Sequence, residues 1–513
     1  MKRFVLFAAF ILLLVTLSPA QAQRTSVRNL TSNFSIEGVL REPFEVFPKG
    51  TPFTLQRFIT HKESSGESIR KGVIVIDGMQ YAIAVNKMKE VIDLRPTDAN
   101  TFWLAQQLNN GLVSYYQKHG LQQSLRKELE EEAGTYLNEL KKNRLLYEDA
   151  ALEDYLHCMM LDMMPHQFVS GRHVVPYVRI IKSPAPDILM LGNGCMLISS
   201  GMITLLDNEE ELYALMSREV AHYVMDHAIV TINKNTARAN RAAFWSTVFE
   251  SLAIATEEYL TEKHENYEPG FIYATGSIIN SLVNDNIMER MGLTYLPEQE
   301  KEADELAIDY LNFSKHNPMF LTSALGKVQH YYQRVQDNRL FRPYQEHATL
   351  NKRVKQLQAQ YPLQEVPEDR IFLKQTASVV SFSAGLLEYN DDYAEASILA
   401  QKNINSLLAS ADDYVIQVQC LMRQGNTKQV WLACHELLDK AEAVNGGVAM
   451  NIMRQRILLL LRQERLTEAT EQLQGYLSLI DKQITLPQTS DELERLKAES
   501  YWAQQLLGRL EVL

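Results

Sequence analysis

The sequence is poor in cysteine and has no block of positive charge. Its 513 residues include four cysteines, Cys158, Cys195, Cys420 and Cys434. These are too few and too scattered for a disulfide scaffold, and they lack the clustered spacing of a structural zinc site. The 63 acidic and 51 basic residues give a formal net charge of -12. An acidic surface gains nothing from meeting a polyanion, so we expect no nucleic-acid partner and favour peptide or protein partners.

Long apolar runs are also missing after the first residues. Lys2 and Arg3 precede an apolar run at residues 4–17, and Ala20-Gln21-Ala22 supplies the small residues that a signal peptidase needs. This pattern predicts a signal peptide at residues 1–22 and an exported protein, periplasmic or secreted, with no integral membrane span after cleavage. An N-terminal anchor helix is the weaker alternative, because the run is shorter than the ~20 residues that cross a bilayer.

The remaining composition is that of a folded, multidomain protein. Hydrophobic residues make up 46% and charged residues 22%, and at roughly 100 to 200 residues per domain the length favours two to four domains. Residues 44–94 contain short β-rich runs separated by turn signals such as Asp77-Gly78. They predict a small β domain at residues 23–95, which resembles the SH3-like modules of bacterial envelope proteins.

The rest of the chain is predicted to be mainly helical, with β-type runs between residues 174 and 200, so the fold class is mainly α with small β elements (α+β). A helical domain is expected at residues 96–362 and a second at 363–513. In the second, segments 388–404, 422–438 and 461–477 match in outline. This period resembles tetratricopeptide-like repeats, although an unrelated helical bundle is the alternative. Either form suits protein contacts.

One stretch of the central domain, "SREVAHYVMDH", differs by one letter from a metalloprotease motif. A capping box at Asn208 and Glu211 predicts a largely buried helix that runs to about Asn233. In the motif H-E-x-x-H, two histidines one helical turn apart hold zinc and the glutamate takes a proton from the metal-bound water. Here Arg218 stands in the first histidine's position, followed by Glu219 and His222.

A second segment, "PEQEKEADELAIDYL", carries an E-x-x-A-D pattern about eighty residues downstream, at Glu300, Ala303 and Asp304. With their flanks "LGNGCMLISSGMITLLDNEEELYALMSREVAH" and "EHATLNKRVKQL", the two segments resemble metallopeptidase family 48, the HtpX-like and CAAX-prenyl-protease-like zinc peptidases. The resemblance covers residues 146–359. It implies a zincin-like metallopeptidase domain that uses zinc to hydrolyse peptides.

The resemblance also implies roles for individual residues, and the sequence departs from the family pattern at three places. Arg218 replaces the first histidine ligand, Leu296-Pro297 replaces a Ser-Arg pair, and Ala348 replaces a proline. The implied roles are general base for Glu219, zinc ligand for His222 and Glu300, orientation of the first ligand for Asp304, and a place near the metal for His347.

The arginine leaves two interpretations open. Guanidinium has no lone pair, so Arg218 cannot bind zinc, and His222 with Glu300 falls one short of three protein ligands. We exclude His227 as a replacement because five residues along a helix is about 140° around it. Either His347 completes an active zinc metalloendopeptidase, or Arg218 pairs with Asp304 and replaces the charge of zinc. The second interpretation predicts a weak or inactive protease that needs no cofactor and binds peptides or envelope proteins.

Overall fold

A computed structural model describes residues 35–62, 68–110, 121–142, 144–164, 176–232, 295–334, 347–365, 368–488 and 490–510. The predicted signal peptide lies outside the described residues. Within them, no helix is both long and apolar enough to span a membrane. The four cysteines are free thiols.

The N-terminal part of the described chain is an antiparallel β-sheet. Its order is β4-β3-β2-β1-β5, and the β3–β4 hairpin turns at Asp77 and Gly78. Both residues have positive φ, 49° and 80°, as a two-residue type I′ turn requires. The predicted β domain is therefore a five-stranded sheet, while its SH3-like character stays a prediction. The strands are β1 (Ile36–Leu40), β2 (Pro52–Lys62), β3 (Ser68–Ile76), β4 (Met79–Ala84) and β5 (Ile92–Arg95).

The central part is built from helices around a small mixed sheet. Strand β6 pairs in parallel with β8, and β7 forms a hairpin with β8, so the β-type runs at 174–200 form three strands in the order β6-β8-β7. The strands are β6 (Tyr177–Ile181), β7 (Ile188–Met190) and β8 (Cys195–Ser199). Helix α1 (Val85–Val91) lies between β4 and β5 and packs against the first sheet. The helices that follow are α2 (Ala99–Asn109), α3 (Leu121–Lys142), α4 (Ala150–Met163), α5 (Ser200–Leu205), α6 (Glu209–Val224), α7 (His227–Thr231), α8 (Pro297–Ser314), α9 (Met319–Arg334) and α10 (His347–Gln360).

A close approach fixes the path of the chain from β8 into α5. A Cβ atom added to Gly201 would lie 2.1 Å from the carbonyl oxygen of Pro184, so only glycine fits there. The amide of Gly201 donates to the carbonyl of Ser183 over 2.7 Å. The β6–β7 connection is thereby held against the start of α5, which leads directly into α6.

Helix α6 lies at the centre of the largest core and is largely buried, as the sequence predicts. Asn208 caps it and accepts from the amide of Glu211 over 2.9 Å. The Glu211 carboxylate accepts from the amide of Asp207 rather than from Asn208, so the predicted capping box is shifted by one residue. The predicted end near Asn233 is wrong, because α6 ends at Val224.

The C-terminal part consists of consecutive helices in which each helix packs against the next. The three matching segments, 388–404, 422–438 and 461–477, each contain the end of one helix, a turn and most of the following helix. They occupy equivalent positions, while their assignment as tetratricopeptide-like repeats stays a prediction. The helices are α11 (Arg370–Tyr389), α12 (Tyr393–Asn405), α13 (Ala411–Gln424), α14 (Lys428–Asn445), α15 (Met450–Arg462), α16 (Leu466–Ile484) and α17 (Ser490–Leu510).

Helix α11 belongs to the central core as much as to the tail. It packs against α4 and α5, and Phe372 and Val379 are buried members of the same core cluster as α6. From α12, the Lys402 ammonium donates to the carbonyls of Thr204 and Leu206. Helices α11 and α12 therefore contact the central core, while the predicted domain boundary at residue 362 stays a prediction.

This arrangement predicts effects of very different size on stability for two neighbouring substitutions on α11. Phe372→Ala should lower the free energy of unfolding by about 3–5 kcal/mol, because it opens a cavity in the central core. Ile371, whose side chain is exposed, is the matched control, and Ile371→Ala should change the free energy by less than about 0.5 kcal/mol. Urea denaturation of both variants measures the difference. Equal, small effects would show that α11 is not part of the core.

Candidate functional site

Two helices bring the predicted site residues together. Arg218, Glu219 and His222 lie on α6, and all three are buried, with 3%, 2% and 0% of their surface exposed. Glu300 and Asp304 lie one turn apart on α8, which packs along α6. Residues four apart on a helix share a face, so both carboxylates point toward α6, where they contact Arg218.

The Arg218 guanidinium contacts all three carboxylates. Its Nε donates to Oδ1 of Asp304 over 3.0 Å, so the contact expected between these two residues is present. Its Nη1 donates to Oε1 of Glu219 over 2.7 Å, and its Nη2 donates to Oε2 of Glu300. The arginine is thus the shared hydrogen-bond donor of the acidic cluster.

A second arginine, which the sequence reasoning missed, completes the cluster. Arg353 on α10 is 6% exposed. Its Nε donates to Oδ2 of Asp304 over 2.7 Å, its Nη2 to Oδ1 of Asp304 over 2.8 Å, and its Nη1 to Oε2 of Glu300. A buried group of three carboxylates and one arginine carries an excess negative charge, which is unfavourable in a low-dielectric interior. That imbalance was a signal that a second cation should be present.

Glu219 is the carboxyl group left over when the two arginines are matched with Glu300 and Asp304. Burial is the main cause that raises its pKa to about 7, opposed by Arg218 and reinforced by Glu300. In the folded protein Glu219 therefore takes up a proton near neutral pH. The cluster is close to electrically neutral without any metal ion.

The raised pKa predicts a pH-dependent effect of Glu219→Gln. The pKa of this carboxyl group rises from the ordinary value of 4.5 in the unfolded chain to about 7 in the folded protein. Its contribution to stability is therefore fully present below pH 4.5 and is lost as the pH rises through about 7. The variant should therefore gain stability over the natural protein between pH 5 and pH 8, by at most about 1.4 kcal/mol for each pH unit between the two pKa values. Urea denaturation at several pH values measures this gain.

Glu305→Gln is the control, because Glu305 lies on α8 with its side chain 64% exposed, in a surface pair with Lys301. Its substitution should give no such pH dependence. A difference between Glu219→Gln and the natural protein that stays constant from pH 5 to pH 8 would contradict the uptake of a proton by Glu219 near neutral pH.

The end of α6 places His227 against His222, contrary to the reasoning that excluded it. Asp226 adopts a left-handed conformation with φ 58° and begins α7, so the two histidines do not lie on one continuous helix. Their Nδ1 atoms are 2.9 Å apart. Arg126 on α3 binds the Asp226 carboxylate, and Gln107 donates to the carbonyl of Val224 over 3.3 Å. These contacts hold the break in place.

The ring of His222 is enclosed on several sides. Tyr295 stacks on it with 3.8 Å between ring centroids, and a cavity of about 20 Å³ borders it, enough for a single water. Burial, followed by the charge of Arg218, lowers the pKa of His222 well below its usual value. Its Nε2 is buried and has no hydrogen-bond partner among the described residues. His222 is therefore a neutral imidazole.

The last candidate, His347, begins α10. Its side chain lies outside the described residues, so its predicted position near the metal is not tested. The same helix carries Arg353 into the cluster six residues later.

Comparison with known families gives one match for the central domain. Residues 150–361 match the model of Peptidase family M48. This match supports, at the level of the family, the resemblance predicted for residues 146–359, and with it a metallopeptidase-like central domain. A search of curated proteins found no match.

Peptidases of the M48 family are generally zinc-dependent, and a catalytic zinc normally has three protein ligands. Among the described residues, no group of three or more histidine, cysteine, aspartate or glutamate side chains is arranged to hold a metal. Two guanidinium groups bind the carboxylate oxygen Oε2 of Glu300. Arg218 brings a fixed positive charge and no lone pair. With its side chains in this arrangement, the described part of the site does not fit zinc.

Proposed function

We propose that this is an exported, metallopeptidase-like protein whose catalytic centre is closed by arginines, and that it binds peptides or envelope proteins without cleaving them efficiently. The observation that carries the proposal is the set of contacts of Arg218. Its guanidinium binds Glu219, Glu300 and Asp304 together, which are the residues that the family resemblance gives to the base, the third ligand and the orienting carboxylate.

Electrostatics supports a site that is stable without metal. Buried carboxylates need a cation, and an arginine fork supplies one with directed hydrogen bonds. Arg218 and Arg353 together match the charges of Glu300 and Asp304, and Glu219 takes up a proton at about neutral pH. A zinc ion entering this cluster would have to displace or repel two permanent cations.

The proposals of export and partner binding are supported by parts of the chain outside the site. The pattern at residues 1–22 favours a signal peptide, and the net charge of -12 favours protein over nucleic-acid partners. The consecutive helices from α13 to α17 bury apolar side chains in clusters apart from the central core and leave a large surface for a partner. These features support a binding role in the envelope, periplasmic or secreted.

A second candidate is an active zinc-dependent metalloendopeptidase with His222, Glu300 and His347 as ligands and Glu219 as the base. The unpartnered Nε2 of His222 favours it, because a zinc ligand needs a free lone pair at that atom. It requires Glu300 to leave both arginines, and it requires the His347 side chain to reach the other two.

Calorimetric titration of the full chain with zinc separates the two candidates. The arginine-filled site should bind zinc only weakly, and chelator should leave the melting temperature unchanged, because no metal contributes to the folded state. His347→Ala is the matched variant and should behave like the natural protein. Tight one-to-one binding that His347→Ala abolishes would overturn the proposal and establish the zinc enzyme.

A further inference from the structure

We propose that His227 is a positioning residue that fixes the tautomer of the buried His222, with the proton on Nδ1 and the lone pair on Nε2. The inference goes beyond the proposed function, because it concerns the histidines themselves and does not depend on whether the site cleaves peptides. It starts from a chain of three side chains, Glu302, His227 and His222, that runs from the surface into the core.

The first link fixes the proton of His227. Its Nε2 lies 3.2 Å from Oε2 of Glu302, whose side chain is 41% exposed. A carboxylate can only accept, so the Nε2 of His227 must be the donor. The His227 side chain is 4% exposed. A second proton on its ring would make Nδ1 a donor to His222 and would leave a buried N–H without a partner at Nε2 of His222, so the geometry favours a single proton on His227. A neutral imidazole with its proton on Nε2 has an acceptor lone pair on Nδ1.

The second link, the contact between the two histidines, determines which ring nitrogen of His222 carries the proton. The two Nδ1 atoms are 2.9 Å apart, so one must donate and the other accept. Since Nδ1 of His227 is the acceptor, Nδ1 of His222 carries the proton. The lone pair of His222 then lies on Nε2, the buried atom that has no partner among the described residues.

The packing around the pair favours a built arrangement over a chance contact. The two rings meet edge to face, with 4.9 Å between their centroids. Gln299 donates to the carbonyl of His227 over 3.2 Å and ties α7 to α8, the helix that carries Glu302. The left-handed turn at Asp226, held by Arg126, brings the two imidazoles together. A hydrogen-bonded partner on one nitrogen is the usual way in which proteins set the other nitrogen of a histidine as a ligand or acceptor.

The test reads the tautomer directly. The full chain, labelled with ¹⁵N at histidine, is studied by two-bond ¹H–¹⁵N correlation spectroscopy at neutral pH, and His222 is assigned from the spectrum of His222→Gln. We expect the pattern of a single tautomer, with a protonated Nδ1 and an unprotonated Nε2. A protonated Nε2 on His222 in the natural protein would overturn the proposal.

Two variants test the role of the chain of contacts. Glu302→Gln introduces an amide that can also donate to His227, so the single tautomer of His222 should be lost in favour of a mixture. His227→Gln should keep the tautomer, because its amide group donates to Glu302 and its carbonyl accepts from His222. Glu305→Gln, at an exposed position on the same helix, is the control for a changed surface charge. The side chain of Glu302 is partly exposed, so we expect Glu302→Gln to fold. An unchanged His222 spectrum in this variant would also overturn the proposal.

Discussion

Replacing Arg218 with methionine should lower the free energy of unfolding by about 3–5 kcal/mol, the cost of leaving buried charges without their partner. Methionine keeps much of the side-chain volume and removes the charge. Glu219, Glu300 and Asp304 would then share one cation, Arg353, whose bonds go to the last two. Urea denaturation at neutral pH measures the loss.

A surface arginine gives the matched comparison. Arg465 pairs with Glu468 in the tail, where the two side chains are 45% and 52% exposed, and Arg465→Met should have little effect on the free energy of unfolding. Adding Glu219→Gln and Glu300→Gln to Arg218→Met should recover most of the lost stability, because it removes the unpaired charges. A loss of less than 1 kcal/mol in Arg218→Met would show that the cluster does not depend on this arginine.

The pair of Arg218 and Asp304 was predictable because two sequence segments each supplied one member and the chemistry of guanidinium left few partners. Arg353 was harder to foresee. It stands in the segment "HATLNKRVKQL", at the arginine of the family's His-Pro-x-x-x-x-Arg pattern, but that resemblance gave it no partner and no role. Only the count of charges in the assembled cluster shows that a second cation is needed.

The contact of His222 with His227 was missed for a different reason. The apolar periodicity continues past residue 224, and no glycine or proline marks the break at Asp226. Aspartate tolerates the left-handed conformation, and the turn is fixed by distant side chains, Gln107 and Arg126. Such tertiary causes leave no local sequence signal.

The sequence also did not show which helices complete the central core. Proline at position 362 and the polar residues after it suggest a boundary. Helical periodicity shows that Phe372 lies on an apolar face of α11 but does not show which neighbour that face meets. The structure turns it toward α4 and α5.

Replacing Arg218 with histidine should convert the cluster into a zinc site. The new imidazole would lie one helical turn before His222, and Asp304, already bound to Arg353, could also accept its N–H. Both guanidinium groups bind Oε2 of Glu300, so Oε1 can ligate the metal while Arg353 keeps Oε2. We expect one zinc per chain and binding at least roughly a hundredfold tighter than in the natural protein, about 2.8 kcal/mol at 1.4 kcal/mol per tenfold.

Calorimetric titration measures the affinity, and the melting temperature of Arg218→His should rise on addition of zinc, because the metal binds only the folded state. Arg218→Gln is the control, since it removes the same charge without adding an imidazole ligand, and it should bind zinc no better than roughly tenfold above the natural protein. Equal affinity in the two variants would mean that relief of repulsion, and not a restored ligand, governs binding. Failure of Arg218→His to bind zinc, in a protein that is still folded, would show that Arg353 alone keeps Glu300 from the metal.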